Sequence, residues 1–97
     1  MKTIWKFPLQ IVDSQILTMP AGAEILTCQF QAMVDPQVPQ FKEELCIWAV
    51  VDPYVKTFEE RHIEIFGTGH PLPPANRRYI ATAQTNSGLV WHVFERI

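Results

Sequence analysis

Apolar and polar residues alternate over much of the chain, and this alternation predicts β-strands. In "TIWKFPLQI" near the start, Trp5, Phe7 and Leu9 share one parity and are separated by a lysine and a proline, which is the period-2 pattern of a half-buried strand. Pro8 has no N–H to donate to a neighbouring strand. This first strand is therefore expected at the edge of a sheet, or to end at the proline.

Two further segments extend the pattern. In "EILTCQFQAM", Leu26, Cys28 and Phe30 fall on one face and Ile25 falls on the other with polar neighbours, so one buried face and one partly wet face are expected. The segment "LCIWAVV" at 45–51 is apolar on both parities. A run of that kind is typical of a central strand that is covered on each side.

The segment "KTFEERHIEIFG" fits two structures. Phe58, His62 and Ile65 have helical spacing, whereas Ile63 and Ile65 alternate with other residues as in a strand. The β-branched pair and the terminal glycine favour the strand. The remaining strands are predicted at 14–19, 78–85 and 89–97, and the last two are joined by the turn "NSG" with a glycine placed for a positive φ.

Seven short strands predict an all-β fold, either a small antiparallel β-sandwich or a partly open barrel. One short helix within 36–45 or 54–62 stays open as an alternative for those segments. Residues 34–44, "VDPQVPQFKEE", are polar and contain prolines, so they are predicted to form a long loop between strands.

Composition limits the setting of the protein. Ninety-seven residues, 47% of them apolar, suit a single domain over 1–97 with a modest core. A formal net charge of -2 supplies no global positive field, so neither a long nucleic-acid track nor an anionic membrane is expected as partner. No segment resembles a signal peptide or a membrane span, and we expect a cytoplasmic protein. Cys28 and Cys46 are expected to be reduced and buried.

The stretch "FGTGHPLPPANRRYI" at 66–80 is the first candidate site. It lacks the third glycine and the following helix of a dinucleotide-binding turn, and it lacks the Gly-Lys-Ser/Thr of a phosphate-binding loop. One interpretation of the segment is a local anion site, because glycine amides and arginine forks suit phosphate. The opposing interpretation is a stiff corner between two strands. The residues that would bind the ligand are Gly67, Thr68, Gly69, His70, Arg77, Arg78 and Tyr79.

Other chemistry has weaker support in the sequence. His62, His70 and His92 have no partners at a recognised ligand spacing, so no metal is expected. The serines lack a nucleophile-elbow motif, and the cysteines lie inside strand patterns where cysteine is usually inert. No catalytic residue, no metal and no cofactor is therefore predicted, and a non-enzymatic protein is expected.

Four segments in order, "WKFPLQI", "WAVVDP", "IFGTGHPLP" and "LVWHVFE", resemble a family of short tailed-phage and prophage proteins of uncharacterised function. The resemblance spans nearly the whole chain and implies a phage accessory protein in the cytoplasm of a bacterial host. Small phage proteins of this kind include oligomeric sponges that sequester nucleotide signals of host defence, which is an analogy of class.

The leading hypothesis is a homo-oligomeric binding protein that holds a small anionic molecule, such as a nucleotide, near 66–80. In it, Arg77 and Arg78 neutralise phosphate, the 67–69 amides donate to it, and His70 or an aromatic ring orients or stacks the ligand. One alternative is a protein-interaction module that inhibits or redirects a host protein. The other is a nucleotide hydrolase or lyase that depends on His70 or His92.

Overall fold

The computed structural model describes residues 1–33, 36–37 and 42–97. Seven strands are present, as the alternation predicts, and no helix occurs within those ranges. The strands are β1 (Thr3–Pro8), β2 (Ser14–Pro20), β3 (Glu24–Met33), β4 (Lys42–Val51), β5 (Phe58–Gly67), β6 (Arg77–Gln84) and β7 (Val90–Arg96).

The strands form two antiparallel sheets. Sheet A has the order β1-β4-β3 and sheet B the order β2-β5-β7-β6. The described part of the chain measures 40 × 39 × 17 Å along its principal axes, as expected for two layers of sheet. Of the two predicted architectures, the sandwich is confirmed and the barrel is not formed, because the sheets remain separate.

The core lies between the two sheets. From sheet A, β4 contributes Leu45, Ile47, Ala49 and Val51 at alternate positions, and all four are almost completely buried. The facing side chains of sheet B are Ile63, Ile65, Ala81, Ala83 and Val93. Burying a large aliphatic side chain stabilises the fold by about 1.5–3 kcal/mol, so these alternate positions hold the layers together. We call the sheet faces that meet here the inner faces.

A buried ion pair closes one end of the core. Both oxygens of the Glu95 carboxylate accept hydrogen bonds from Arg61, one of them at 2.9 Å from Nη2. Arg61 also donates to the carbonyl of Ala23 at 2.8 Å and contacts Glu59 at 3.3 Å. The hydrogen bonds from Arg61 to Glu95 raise the pKa of the guanidinium above its ordinary value. The Arg61 guanidinium therefore stays charged although its side chain is largely buried.

Two of the four edge strands of the sandwich, β1 and β2, carry prolines. β1 is an edge strand of sheet A, as Pro8 predicts. The N–H of Leu9 donates to the carbonyl of Leu45 at 2.8 Å, and by the alternation of a strand the nitrogen of Pro8 then faces outward. Pro20 ends β2, which is an edge strand of sheet B. Prolines at these positions remove N–H groups to which a second chain could bind.

The faces predicted for Ile25 and Leu26, at the start of β3, are wrong. The register with β4 shifts between Ile25 and Thr27, so Leu26 is an extra residue and the parity changes there. Ile25 packs on the core with Cys28 and Phe30, whereas Leu26 is exposed. A bulge of this kind is invisible to a period-2 pattern, because it depends on the partner strand.

Strand β4 is central in its sheet, as predicted, but only its inner face is covered by a second layer. Trp48 and Val50 point to the outer face and remain partly exposed. The helix considered within 54–62 is absent, since β5 begins at Phe58. Of the predicted 34–44 loop, residues 34–35 and 38–41 lie outside the described residues, and 42–44 already belong to β4.

Both cysteines are buried free thiols, as the sequence predicts. Cys28 lies opposite Ile47, and Cys46 lies opposite Gln29, so the two thiols point to opposite faces of sheet A. Burial raises the pKa of Cys28 from 9.0 to about 12, and nearby Cys46 adds to the effect. No helix in the described ranges is long and apolar enough to cross a membrane.

Candidate functional site

A tight turn follows β5 and raises a histidine above the sheet. The N–H of His70 donates to the carbonyl of Gly67 at 3.1 Å, and Gly69 has a φ of 85°. A positive φ at the third position of a four-residue turn favours glycine. The ring of His70 lies against Gly67, where a Cβ atom would come within 2.9 Å of the imidazole. Gly69 therefore suits the backbone conformation of the turn, and Gly67 leaves room for the His70 ring in this position.

Three shallow clefts share His70. The first, of about 220 Å³, is also lined by Leu72, His92 and Phe94. The second, of about 360 Å³, extends towards Ser14 and Pro73. The third, of about 170 Å³, reaches the end of the core at Trp91. The turn thus divides one concave region, and His70 is common to all its parts.

Aromatic rings form the floor of the first cleft. The rings of Phe66 and Phe94 are 5.9 Å apart between centroids and meet edge to face, and Tyr79 packs against Phe94 at 5.6 Å. All three rings lie on the outer face of sheet B. The register shows this, since Phe94 is the cross-strand neighbour of Tyr79 and Phe66 is the cross-strand neighbour of His92. Tyr79 is more than half exposed.

A chain of hydrogen bonds crosses the same face. The Thr68 hydroxyl lies 2.7 Å from Nε2 of His92, and Nδ1 of His92 lies 3.1 Å from the hydroxyl of Thr82. Thr82 in turn is 2.8 Å from the hydroxyl of Tyr79. Both ring nitrogens of His92 are thereby occupied, which fixes the orientation of the ring at the edge of the cleft.

Arg77 supports this site rather than facing into it. Its side chain is only 8% exposed, and its Nε donates to Glu64 at 2.9 Å. A second nitrogen donates to the carbonyl of Pro73, and the guanidinium lies 5.1 Å from the centre of the Phe66 ring. Glu64 balances the charge of Arg77. The hydrogen bond from Arg77 to Pro73 holds the 71–76 segment against the sheet.

The neighbouring arginine points to the other face of β6. The side chain of Arg78 is 66% exposed, and its guanidinium lies 3.9 Å from Glu95 of the inner ion pair. Adjacent residues of a strand point to opposite faces, so the two arginines do not converge. Of the predicted binding residues, the structure groups Gly67, Thr68, Gly69 and His70 at one cleft, with Tyr79 and Arg77 on the same outer face.

Three residues that line the cleft were not among the ligand-binding residues predicted from the sequence, although His92 was named for the enzyme alternative and Phe66 begins the 66–80 stretch. Phe66, His92 and Phe94 line the cleft from two strands that are distant in sequence. The alternation of residues in β7 places His92 and Phe94 on one face, and this could be predicted from the sequence. Their meeting with Phe66 depends on the register of β5 against β7, which no local pattern contains.

One further polar contact has the elements of a nucleophile pair. The hydroxyl of Ser14 lies 2.5 Å from Nε2 of His62. Within the described ranges no carboxylate hydrogen-bonds to the other ring nitrogen of His62, so the orienting third member of a triad is not present there. The same part of the chain contains no group of three or more His, Cys, Asp or Glu side chains that could hold a metal ion.

Comparison with known proteins gives a family. No curated protein and no solved structure matches the chain. Residues 1–97, the whole sequence, match the family described as "Domain of unknown function (DUF7352)". The chain, whose own fold is all-β, belongs to this family of domains of unknown function.

Proposed function

We propose that the protein is a non-enzymatic binding module that holds a small anionic molecule with a planar ring, such as a nucleotide, in the cleft beneath His70. The main support for this proposal is the position of His70, which lines all three of the clefts described above. Its imidazole makes no hydrogen bond to any residue that the structure describes, so both ring nitrogens are available to a ligand.

The turn supplies donors for the anionic group. The amides of Thr68 and Gly69 donate to no acceptor among residues 1–33, 36–37 and 42–97, and both residues are exposed. Amide and imidazole N–H groups stabilise a bound anion, because hydrogen bonds to charged acceptors are stronger than neutral ones. This local arrangement suits a chain whose net charge of -2 gives no attraction at long range.

The aromatic floor suits the planar part of such a ligand. Phe66 and Phe94 face the cleft beside Leu72, and Tyr79 lies next to them on the same sheet face. Stacking of a base on an aromatic side chain contributes about 1–3 kcal/mol. Arg77 holds the covering segment in place through Pro73, which preorganises the cleft before the ligand arrives.

In its biological setting, we propose a phage accessory protein that sequesters a nucleotide signal of host defence in the bacterial cytoplasm, as a homo-oligomer. The sequence resemblance supports the phage setting, and the polar, aromatic cleft supports the ligand class. A protein that sequesters a ligand needs affinity and abundance but no catalytic residues, which fits the chemistry of the site.

A protein-interaction module is the second candidate. Ile16 and Phe58 are more than half exposed on the outer face of sheet B. Exposed apolar side chains near a free sheet edge are typical of surfaces that bind another protein. In that case the partner is a host protein, and the clefts take no small molecule.

Calorimetric titration tests the proposal. Cyclic dinucleotides and ADP-ribose derivatives are titrated into the wild type, His70→Ala and Arg78→Ala. Loss of one hydrogen bond to a charged group predicts affinity about tenfold weaker for His70→Ala. Arg78→Ala is the matched control, because its side chain leaves sheet B on the other face, and it is expected to bind as the wild type does.

The same samples separate the alternatives. Equal heats in all three proteins, or no heat at all, would remove the ligand-binding proposal. Chromatography of the titrated nucleotides detects hydrolysis or lysis, and product that disappears in His70→Ala or His92→Ala would make the protein an enzyme. A single stoichiometric host protein in a pull-down, with no small molecule released on denaturation, would favour the interaction module.

A further inference from the structure

The outer face of sheet A has an apolar patch that no second layer covers within the part of the chain that the structure describes. On β4, Cys46, Trp48 and Val50 alternate with the core residues and therefore point outward. Cys46 is fully buried, whereas Trp48 and Val50 remain partly exposed. Ile4 of β1 lies directly opposite Val50 and is 57% exposed. We call Ile4, Trp48 and Val50 the outer patch.

The sequence of β4 is that of a strand covered on both sides. Residues 45–51, "LCIWAVV", are apolar at every position, which is typical of strands buried on each face, whereas a strand with one wet face alternates apolar and polar residues. Within the fold, sheet B covers only the inner face. The apolar residues of the outer face therefore fit a second layer that comes from another molecule.

The edges of sheet A are less suited than its face to bind another chain. Pro8 removes an outward N–H from β1. At the other edge, β3 lies beside β6 of sheet B. Both of these strands carry a bulge, between Ile25 and Thr27 and between Tyr79 and Ala81, and bulges hinder strand addition. Face-to-face packing needs no free backbone groups, because it buries side chains between two sheets.

Two charged residues flank the outer patch. Lys2 lies one residue before β1 and, by the alternation of that strand, points to the outer face. Glu24 of β3 lies opposite Val50 on the same face. Both are exposed, and neither forms an ion pair with a residue of the described ranges. The cation thus lies on one side of β4 and the carboxylate on the other.

We propose that the outer face of sheet A binds the same face of a second copy of this chain. A twofold axis parallel to β4 lays β1 of one copy on β3 of the other, because the strand order is β1-β4-β3. Trp48 then packs on Trp48 of the second copy at the centre of the interface, where tryptophan contributes most. Lys2 comes within two residues of the level of the second copy's Glu24, about 7 Å along the strand, and the symmetry repeats this pair. The inference rests on the homo-oligomer of the proposed function and assigns a surface to it.

Sedimentation velocity and native mass spectrometry of the full chain test the proposal. The wild type is expected to form a dimer that dissociates on dilution, since a face of three strands is at the low end of interface sizes. Ile4→Lys is expected to weaken dimerisation at least about tenfold, because it buries an unpaired charge in the interface. Ile16→Lys is the matched control. Ile16 is 55% exposed on the outer face of sheet B, and its variant is expected to dimerise as the wild type does.

A charge exchange tests the orientation of the two copies. Glu24→Lys alone sets two cations against each other and is expected to weaken the dimer, whereas Lys2→Glu combined with Glu24→Lys is expected to restore it. A thermal melt verifies that each variant is folded. A wild type that stays monomeric at high concentration, a double variant that does not recover, or a dimer that Ile16→Lys disrupts and Ile4→Lys does not, would overturn the proposal. The nucleotide titrations report on the His70 clefts of sheet B, so a failure there is distinguishable from a failure here.

Discussion

The buried pair of Arg61 and Glu95 yields the sharpest prediction about stability. The side chains are only 13% and 9% exposed, so removing one partner leaves a charge with little access to water. Replacing Glu95 with leucine removes the acceptor of two Arg61 donors. Breaking a buried pair in this way costs about 3–5 kcal/mol. We expect about 3 kcal/mol for Glu95→Leu, because Ala23 and Glu59 still accept from Arg61.

The double variant has a different expectation. Arg61→Met alone should also cost about 3 kcal/mol, since Glu95 is then buried without its main donor. Arg61→Met combined with Glu95→Leu places two apolar side chains of similar length together and should return to within about 1 kcal/mol of the wild type. The effects of the two substitutions on the free energy of unfolding are therefore strongly non-additive, and the double variant is more stable than the sum of the single effects predicts.

Urea unfolding followed by tryptophan fluorescence measures all four proteins. For a domain of this size a loss of 3 kcal/mol corresponds to roughly 12–24 °C in Tm, which a thermal scan detects independently. Arg78→Gln is the control, since an exposed contact contributes less than about 1 kcal/mol. If the effects of the two single substitutions add in the double variant, Arg61 and Glu95 do not stabilise the fold as a buried pair.

Three further predictions concern other parts of the molecule. Gly69→Ala should cost about 1 kcal/mol in urea unfolding because of its φ of 85°, whereas Gly67→Ala should leave stability nearly unchanged and displace the His70 ring; equal losses would contradict this. The folded-state pKa of Cys28 is raised from 9.0 to about 12, so its contribution to stability is complete below pH 9.0 and is lost as the pH rises towards 12. Cys28→Ala should therefore lose less stability than the wild type between those pH values, and parallel losses would show that Cys28 is not responsible. Pro8→Val restores an outward N–H on the edge of β1 and should increase self-association in native mass spectrometry; an unchanged mass distribution at high concentration would show that the edge is protected by other means.

The strands themselves could be predicted because each is encoded locally. Trp5, Phe7 and Leu9 repeat every second residue, and the pair Ile63 and Ile65 favours a strand where the spacing also fits a helix. Pro8 indicated an edge strand for a reason that involves only its own missing N–H, and β1 is one. The turn before β7 was likewise predicted from Gly88, whose φ is 93°.

The candidate site was only partly accessible from the sequence. The 67–70 turn was identified as a candidate anion-binding segment, and the structure places His70 above a cleft. Arg77 and Arg78 were treated as a pair, although a strand sends neighbouring side chains to opposite faces. The predicted strand began at Arg78 and did not include Arg77, so the sequence left their separation open. In the structure Arg77 pairs with Glu64 on the outer face, whereas Arg78 lies near Glu95 on the inner face.

The sequence by itself determined seven strands, their approximate bounds and the all-β class, because a period of two and turn residues are properties of a few consecutive residues. The tertiary structure alone decided which side chains meet. The pairing of Arg61 with Glu95, of Thr68 with His92, and the two bulges depend on strand register and on the stacking of the sheets. These contacts join residues far apart in the chain, where local alternation carries no information about the partner.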